Sequence, residues 1–278
     1  MSPSVRVSVS REKTAVGLIV TNNHRIYSEK DVVDFYVNQT RLQLPEQSIF
    51  KWLKSDLSRF SMLDIGVGAG RTTLFFGGEV KEYIGIDNAQ AMIDACEGRF
   101  GNSGKRFCFK VADVRNLEDF EDQHFDFILF SWNGLDVLEH AGRLRALGEI
   151  KRVLRPSGYF CFSSHNMQSV RRIKRVKWSL DWRQVRANLR KHFKFIRLNK
   201  ITKQSLQESD HLIINEGAHN FGLRHYFVRP RHQLEQLRQA GFDNIRIVGL
   251  SDGKEVKEED LSTNEDFWLY YLCRRKVE

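Results

Sequence analysis

The sequence predicts a doubly wound α/β fold built on a seven-stranded, mostly parallel sheet. Three observations predict it. Strand-length apolar runs alternate with helical runs between residues 61 and 165; the first strand ends in a glycine-rich turn, Gly66-Val-Gly68-Ala-Gly70; and a helix followed by two more strands closes the chain after residue 229. Strands separated by single helices pair in parallel through right-handed crossovers, which covers both faces of the sheet. With 278 residues the chain is long enough for one elaborated domain with a sizeable core.

In chain order, the stretch YSEKDVVDFYVNQTRLQLPEQSIFKWL from Tyr27 reads as helices ahead of the sheet. Ser61 to Ile65 is the first strand, and Arg71 to Phe76 the helix beyond the glycine turn, stopped by Gly77-Gly78. Glu82 to Ile86 is the second strand, Ala89 to Gly98 the next helix, and Arg106 to Val111 and Phe125 to Phe130 the third and fourth strands. Leu144, Leu147, Ile150 and Leu154 recur near helical spacing, and Arg155-Pro-Ser-Gly158 then turns the chain into a fifth strand, Tyr159 to Ser163. Pro230 to Ala240 is a helix capped by Gly241, after which Ile245 to Leu250 and Phe267 to Leu272 complete the sheet. The chain thus divides into N-terminal cap helices (1–45), a core (46–165), an insertion (166–228) and a C-terminal completion of the sheet (229–278).

Charge separates the insertion from the rest. The net charge is +9, yet Ser169 to Lys203 holds thirteen Lys/Arg against the single acid Asp181, so this stretch carries +12 and the remainder about −3. Val170, Ile173, Val176, Leu180, Val185 and Leu189 recur there near helical spacing, with Trp178 and Trp182 among them. A basic amphipathic lid is expected. It would be a helix packed over the site with a solvated face, or a surface for an anionic small-molecule acceptor, RNA phosphates or an anionic membrane. The four cysteines are far apart with no CxxC pair, which argues against a zinc knuckle or a disulfide framework, and no metal is expected. No apolar run approaches the roughly 20 residues of a membrane span, and the first residues lack a signal-peptide core. A soluble, cytoplasmic protein is the expectation.

In doubly wound sheets, ligands bind beyond the carboxyl ends of the strands where strand order reverses, usually beside the first strand. The glycine turn lies there. Gly66, Gly68 and Gly70 let a ligand approach the backbone and permit positive φ. Asp87 ends the second strand about 20 residues on, where dinucleotide folds read a ribose diol, and Asp113 ends the third. The spacing departs from the pyrophosphate fingerprint G-x-G-x-x-G, and Asp64, two residues before the first glycine, would repel a pyrophosphate and suit an ammonium or sulfonium.

In this order, LDIGVGAG, YIGIDNA, VADVRNL and FDFILFSWNGLDVL resemble the motifs of the class I methyltransferases that use S-adenosylmethionine, over about residues 46 to 165. The resemblance implies a Rossmann-like methyltransferase fold and S-adenosyl-L-methionine as cofactor. Asp64, Gly66, Gly68 and Gly70 would surround its amino-acid end, Asp87 with the adjacent Asn88 would hold the ribose, Asp113 and Val114 would meet the adenine, and Ser131 and Trp132 would lie near the reactive methyl. The helices ahead of the first strand often cap the cofactor in that family, so Tyr36 and Arg41 could touch it.

Methyl transfer from a sulfonium needs an oriented acceptor and excluded water, and a base only if the acceptor must lose a proton. A near-neutral base points to histidine. His165, after the fifth strand in FSSHNM, and His219, in NEGAHNFGLRHYF, are the catalytic candidates, with His225 behind them. The loop Ser131-Trp-Asn-Gly134 lacks the Asn/Asp-Pro-Pro-aromatic signature of related N-methyltransferases and the Pro-Cys nucleophile of cytosine C5 chemistry. Three readings follow: a methyltransferase of a small-molecule O or N acceptor, an RNA methyltransferase docking through the insertion, and a non-catalytic cofactor-binding module. Nothing in the sequence specifies the acceptor or the oligomeric state.

Overall fold

The computed structural model describes residues 25–104, 107–173 and 180–277. Among them run nine strands: β1 Ser61–Ile65, β2 Glu82–Asp87, β3 Phe107–Val111, β4 Phe125–Phe130, β5 Leu154–Asn166, β6 His211–Ile214, β7 His225–Val228, β8 Phe242–Gly249 and β9 Trp268–Arg275. The parallel part has the order β3-β2-β1-β4-β5, so strand order reverses between β1 and β4. Antiparallel β9 pairs along β5 and carries β8 outside it, which completes the expected seven strands. A further antiparallel pair, β6 and β7, joins the tip of β5 through His165↔Phe227 and Asn166↔Val228.

Side-chain alternation builds a core on each face. Leu63 and Ile65 of β1 pack with Ile86, Ile128, Phe160 and Ile150 on one side, while Met62 packs with Ile49, Leu53, Phe76, Phe127 and Phe100 on the other. The N-terminal helix Leu44–Leu53 belongs to this second layer, so it covers the sheet as well as reaching the site.

Several expected boundaries move for local reasons. The helix after the glycine turn covers only Thr73–Phe76, and the next spans Gln90–Phe100. In the helix His140–Val153 the inward face is Arg143, Ala146, Leu147, Ile150 and Val153, whereas Leu144 is exposed and Leu154 already opens β5. The expected turn at 155–158 is a bulge inside β5: Phe125 pairs with Leu154 and Phe127 with Tyr159, so Asp126 alone faces four residues, and Arg155 grips its carboxylate at 2.7 Å. β5 then continues to Asn166, which puts His165 within the strand.

The insertion contains the helices Val170–Ile173, Trp182–Asn199 and Lys203–Glu208 and the β6–β7 pair, which the sequence reading missed. Trp182–Asn199 buries Phe195 against a cluster with Met167, Val170, Ile214 and Phe227, and leaves Trp182, Phe193 and Ile196 exposed beside the exposed Arg186, Arg190 and Arg197. Val176 and Trp178 lie outside the described residues, as does Arg106 of the expected third strand. No helix among the described residues is long and apolar enough to cross a membrane.

Candidate active site

The glycine turn is fixed by its neighbours. Val67 N–H donates to Ile86 O at 3.0 Å, Gly68 N–H to Asp87 Oδ2 at 3.0 Å, and Arg99 Nη1 to Ala69 O at 3.1 Å. Two glycines here are obligatory. Gly66 has φ +62° and a Cβ would lie 2.9 Å from Phe130 Cε2; Gly70 has φ +78° and a Cβ would lie 2.3 Å from Phe100 Cε2. Only a residue without a Cβ lets the chain turn so tightly against two aromatic rings.

Beyond the turn opens a cavity among the carboxyl ends of β1 to β4, about 880 Å³ with the open space at its mouth included. Of the sequence-predicted residues, Tyr36, Gly66, Gly68, Asp87, Asn88, Asp113, Val114, Ser131 and Trp132 line it together. Asp87 spends one oxygen on Gly68 N–H and the other on Ala89 N–H at 2.9 Å. Asp113 takes Arg115, whose guanidinium and backbone hold its carboxyl below the ordinary range although burial acts the other way. Asp64, Gly70 and Arg41 are not on the cavity wall. Arg41 is exposed, and its carbonyl accepts from Arg71 Nη1 at 3.2 Å. Tyr27, which the sequence reading passed over, lines the cavity beside Tyr36.

Asp64 points beneath the turn instead of into the cavity. Its carboxylate accepts from Thr72 Oγ1 and, at 2.6 Å, from the Tyr83 hydroxyl. Burial pushes its pKa up to about 6, against the two hydroxyl donors. The folded protein then holds this proton more tightly than the unfolded chain, whose carboxyl titrates near 3.8. Stability from this group is therefore complete below the unfolded value and is lost as pH rises through about 6. Relative to wild type, Asp64→Asn is expected to gain on the order of 2 kcal/mol between about pH 4 and about pH 7 in urea denaturation. A pH-independent difference would mean that Asp64 stays ionised throughout.

The opposite wall is set by a buried ion pair. Arg71 Nη1 and Nη2 each reach a Glu46 oxygen at 2.6 Å, and Glu46 also accepts from Ser131 Oγ and from Gln43 N–H at 2.7 Å. Tyr270 hydroxyl stands 2.9 Å from Ser131 Oγ. Such a pair is costly to desolvate and is kept only where every lone pair is used, as here. Its effect is positional: the Arg71 guanidinium lies over the Trp132 ring at 4.6 Å, and Tyr36 meets that ring edge-on at 5.7 Å. Trp132 and Asn133 both have positive φ, +52° and +58°, strain that the packed surroundings hold in place. Trp132 Nε1 is buried without a partner among the described residues.

Immediately behind Trp132 lies a second polar group. Asp136, on the short helical turn Gly134–Val137, is fully buried. Its Oδ1 accepts from Arg143 Nη1 at 2.5 Å and Ser164 Oγ at 2.7 Å, and its Oδ2 from His165 N–H at 2.6 Å and His165 Nδ1 at 2.8 Å. Burial alone would raise the Asp136 pKa; Arg143 and His165 outweigh it and leave it below the ordinary value. Burial depresses the pKa of His165 despite Asp136, so the ring is neutral, with its proton on Nδ1 and Nε2 free to accept. His225 stacks on His165 at 5.0 Å and its Nδ1 meets Glu216 Oε1 at 2.9 Å. His165 and His225 therefore come together, though neither lines the cavity itself. His219 falls in the turn of helix Ala218–Phe221, and its side chain lies outside the described residues. No described residue of the basic stretch lines the cavity either; its Phe195 packs with Ile214 of β6 and Phe227 of β7, so the expected lid is not seen among the described residues.

A doubly wound sheet with its cavity at the strand-order reversal, walled by a glycine turn and strand-end carboxylates, is the arrangement in which such sheets hold a nucleoside. Residues 62–158 match the family described as a methyltransferase domain. The uncharacterized methyltransferase YcgJ of Bacillus subtilis is 32% identical over 106 residues, 37% of this chain and 40% of its own length. In fold, the 1,6-didemethyltoxoflavin-N1-methyltransferase of Burkholderia thailandensis, solved with 1,6-didemethyltoxoflavin and S-adenosylhomocysteine bound, superimposes with a TM-score of 0.59 at 16% identity, covering 99% of this chain and 94% of that one. Phosphoethanolamine N-methyltransferase 1 of Haemonchus contortus gives 0.58 at 14% identity, covering 96% and 50%. The chain spans about half, or less, of the length of the curated relatives it matches. The domain match over residues 62–158 and the shared fold support a class I S-adenosylmethionine-dependent methyltransferase, with S-adenosylmethionine as its cofactor.

Proposed function

We propose that the protein transfers the methyl group of S-adenosylmethionine to an oxygen or nitrogen of a small-molecule acceptor. The observation that carries this reading is that one cavity joins Gly66 and Gly68, Asp87, Asp113 and Trp132. Asp87 with Asn88 would take the ribose hydroxyls, Asp113 and Val114 the adenine, and the Gly66–Gly68 backbone the amino-acid end, closed in by Tyr27 and Tyr36. Asp64 would act through the turn without touching the cofactor. Ser131 and Trp132 would stand at the methyl, with the Trp132 Nε1 donor unspent. In the transfer the acceptor lone pair forms the new bond to carbon and sulfur keeps the electrons of the bond that breaks, so these residues orient the acceptor and exclude water. His165 and His225, with Glu216, lie off the cavity wall and would serve as a base only through an intervening group. A small heterocycle bound with S-adenosylhomocysteine in the similarly folded Burkholderia enzyme is in keeping with an acceptor of this size.

The exposed face of helix Trp182–Asn199 favours a second reading, in which Arg186, Arg190 and Arg197 beside Trp182 and Phe193 dock an anionic polymer such as RNA, or an anionic membrane. One experiment separates the readings. The protein is incubated with methyl-labelled S-adenosylmethionine and an extract of its source cells, and the label is fractionated into small metabolites, nucleic acid, lipid and protein. Label in the small-metabolite fraction is expected. Label in a nuclease-sensitive fraction would overturn the small-molecule reading in favour of RNA, and no transfer by a protein that binds the cofactor would favour a non-catalytic module.

A further inference from the structure

His165, Glu216 and His225 each offer one ligand atom, and these atoms all lie within 4.8 Å of one another. They come from the tip of β5, the β6–β7 connection and the start of β7. The three are withdrawn from solvent: His165 is 3% and His225 7% exposed, and the Glu216 carboxylate is largely covered.

Two further observations separate this cluster from an ordinary buried histidine pair. Asp136 Oδ2 takes the Nδ1 proton of His165 at 2.8 Å, so Nε2 presents its lone pair; a carboxylate behind the ring is how metal-binding histidines are oriented. Asn133, 6% exposed, brings Nδ2 within only 3.4 Å of that Nε2, while its Oδ1 is buried with no partner among the described residues. Rotating the Asn133 amide exchanges the two ends and turns an orphaned oxygen toward the histidines. The result is two imidazole nitrogens, a carboxylate oxygen and an amide oxygen, with no thiolate. That donor set suits first-row divalent cations. Metal–ligand bonds of about 2.0–2.2 Å hold neighbouring donors roughly 3.3 Å apart, so the side chains draw inward on binding. The ligands follow no short spacing in the chain, which is why the sequence suggested no metal.

We propose that His165, Glu216 and His225, completed by Asn133 Oδ1, bind one first-row divalent cation of the zinc or cobalt type beside the cofactor cavity. The ligands do not line the cavity, so the cation's role is to tie the tip of β5 to the β6–β7 pair, and the site stands whether or not the methyltransferase reading does.

The test uses the full chain, freed of metal by chelator, without S-adenosylmethionine. Calorimetric titration with zinc chloride is expected to show one equivalent bound per chain, and cobalt chloride to give the visible absorption of a low-coordinate protein complex. Glu216→Ala and His225→Ala should weaken zinc by more than about 100-fold. His124→Ala, whose ring meets Glu82 and Phe125 away from the cluster, should bind as wild type. Circular dichroism checks that each variant is folded, and Glu216→Gln and His225→Asn replace any that is not. No zinc uptake by wild type, or uptake that folded Glu216 and His225 variants retain, would overturn the site. Because the titration contains no methyl donor, its failure leaves methyl transfer standing, and failed transfer leaves a zinc result standing.

Discussion

Asp136→Ala is expected to remove about 3–5 kcal/mol of folding stability, the range for breaking a buried ion pair from one side. The carboxylate accepts from four donors, Arg143 Nη1, Ser164 Oγ and two from His165, all of them buried. Arg143 is fully buried on the helix His140–Val153, so without Asp136 its charge is left to Ser164 and Gln233, which are neutral. The loss is read as a lower denaturation midpoint at unchanged slope. Asp136→Asn keeps the shape and loses the charge, and should recover only part of it. A loss under about 1 kcal/mol for Asp136→Ala would mean that the guanidinium reaches water when its partner goes.

Asp87→Ala is expected to weaken binding of S-adenosylhomocysteine at least about 100-fold, or roughly 2.7 kcal/mol. Two effects combine. Asp87 lines the cavity, so a ribose diol loses its acceptor, and the Gly68 and Ala89 N–H groups lose the carboxylate that fixes the turn. Charge-assisted hydrogen bonds are each worth about 1.5–3 kcal/mol, so the size is reached without further assumption. Asp87→Asn can still accept one bond and should fall between. Unchanged affinity in Asp87→Ala would mean that the ribose is held by other groups.

What was legible in the chain followed position along strands. A strand end beside a glycine turn faces the crevice whatever packs elsewhere, so Gly66, Gly68, Asp87 and Asp113 stood out from period and spacing alone. Asp64, a strand residue one step earlier, alternates to the interior, where Tyr83 and Thr72 both donate to its Oδ2. Glu46 and Arg71, 25 residues apart, and Asp136 and His165, 29 apart, become partners only once the sheet is assembled, and nothing local marks them. Arg143 sits where helical period would put an apolar residue; the displaced Leu144 on the surface was the only trace of it. The β6–β7 pair hid within a stretch whose charge dominated the reading, and with it Glu216.

Calorimetric titration of the wild-type chain with S-adenosylhomocysteine, alongside NAD as a pyrophosphate-bearing comparison, tests the cavity most directly. One site per chain, filled by S-adenosylhomocysteine at micromolar or tighter affinity with no heat from NAD, is the predicted result. Binding of NAD, or none of S-adenosylhomocysteine, would contradict the assignment of the Gly66–Gly70 turn and Asp87 to a phosphate-free nucleoside.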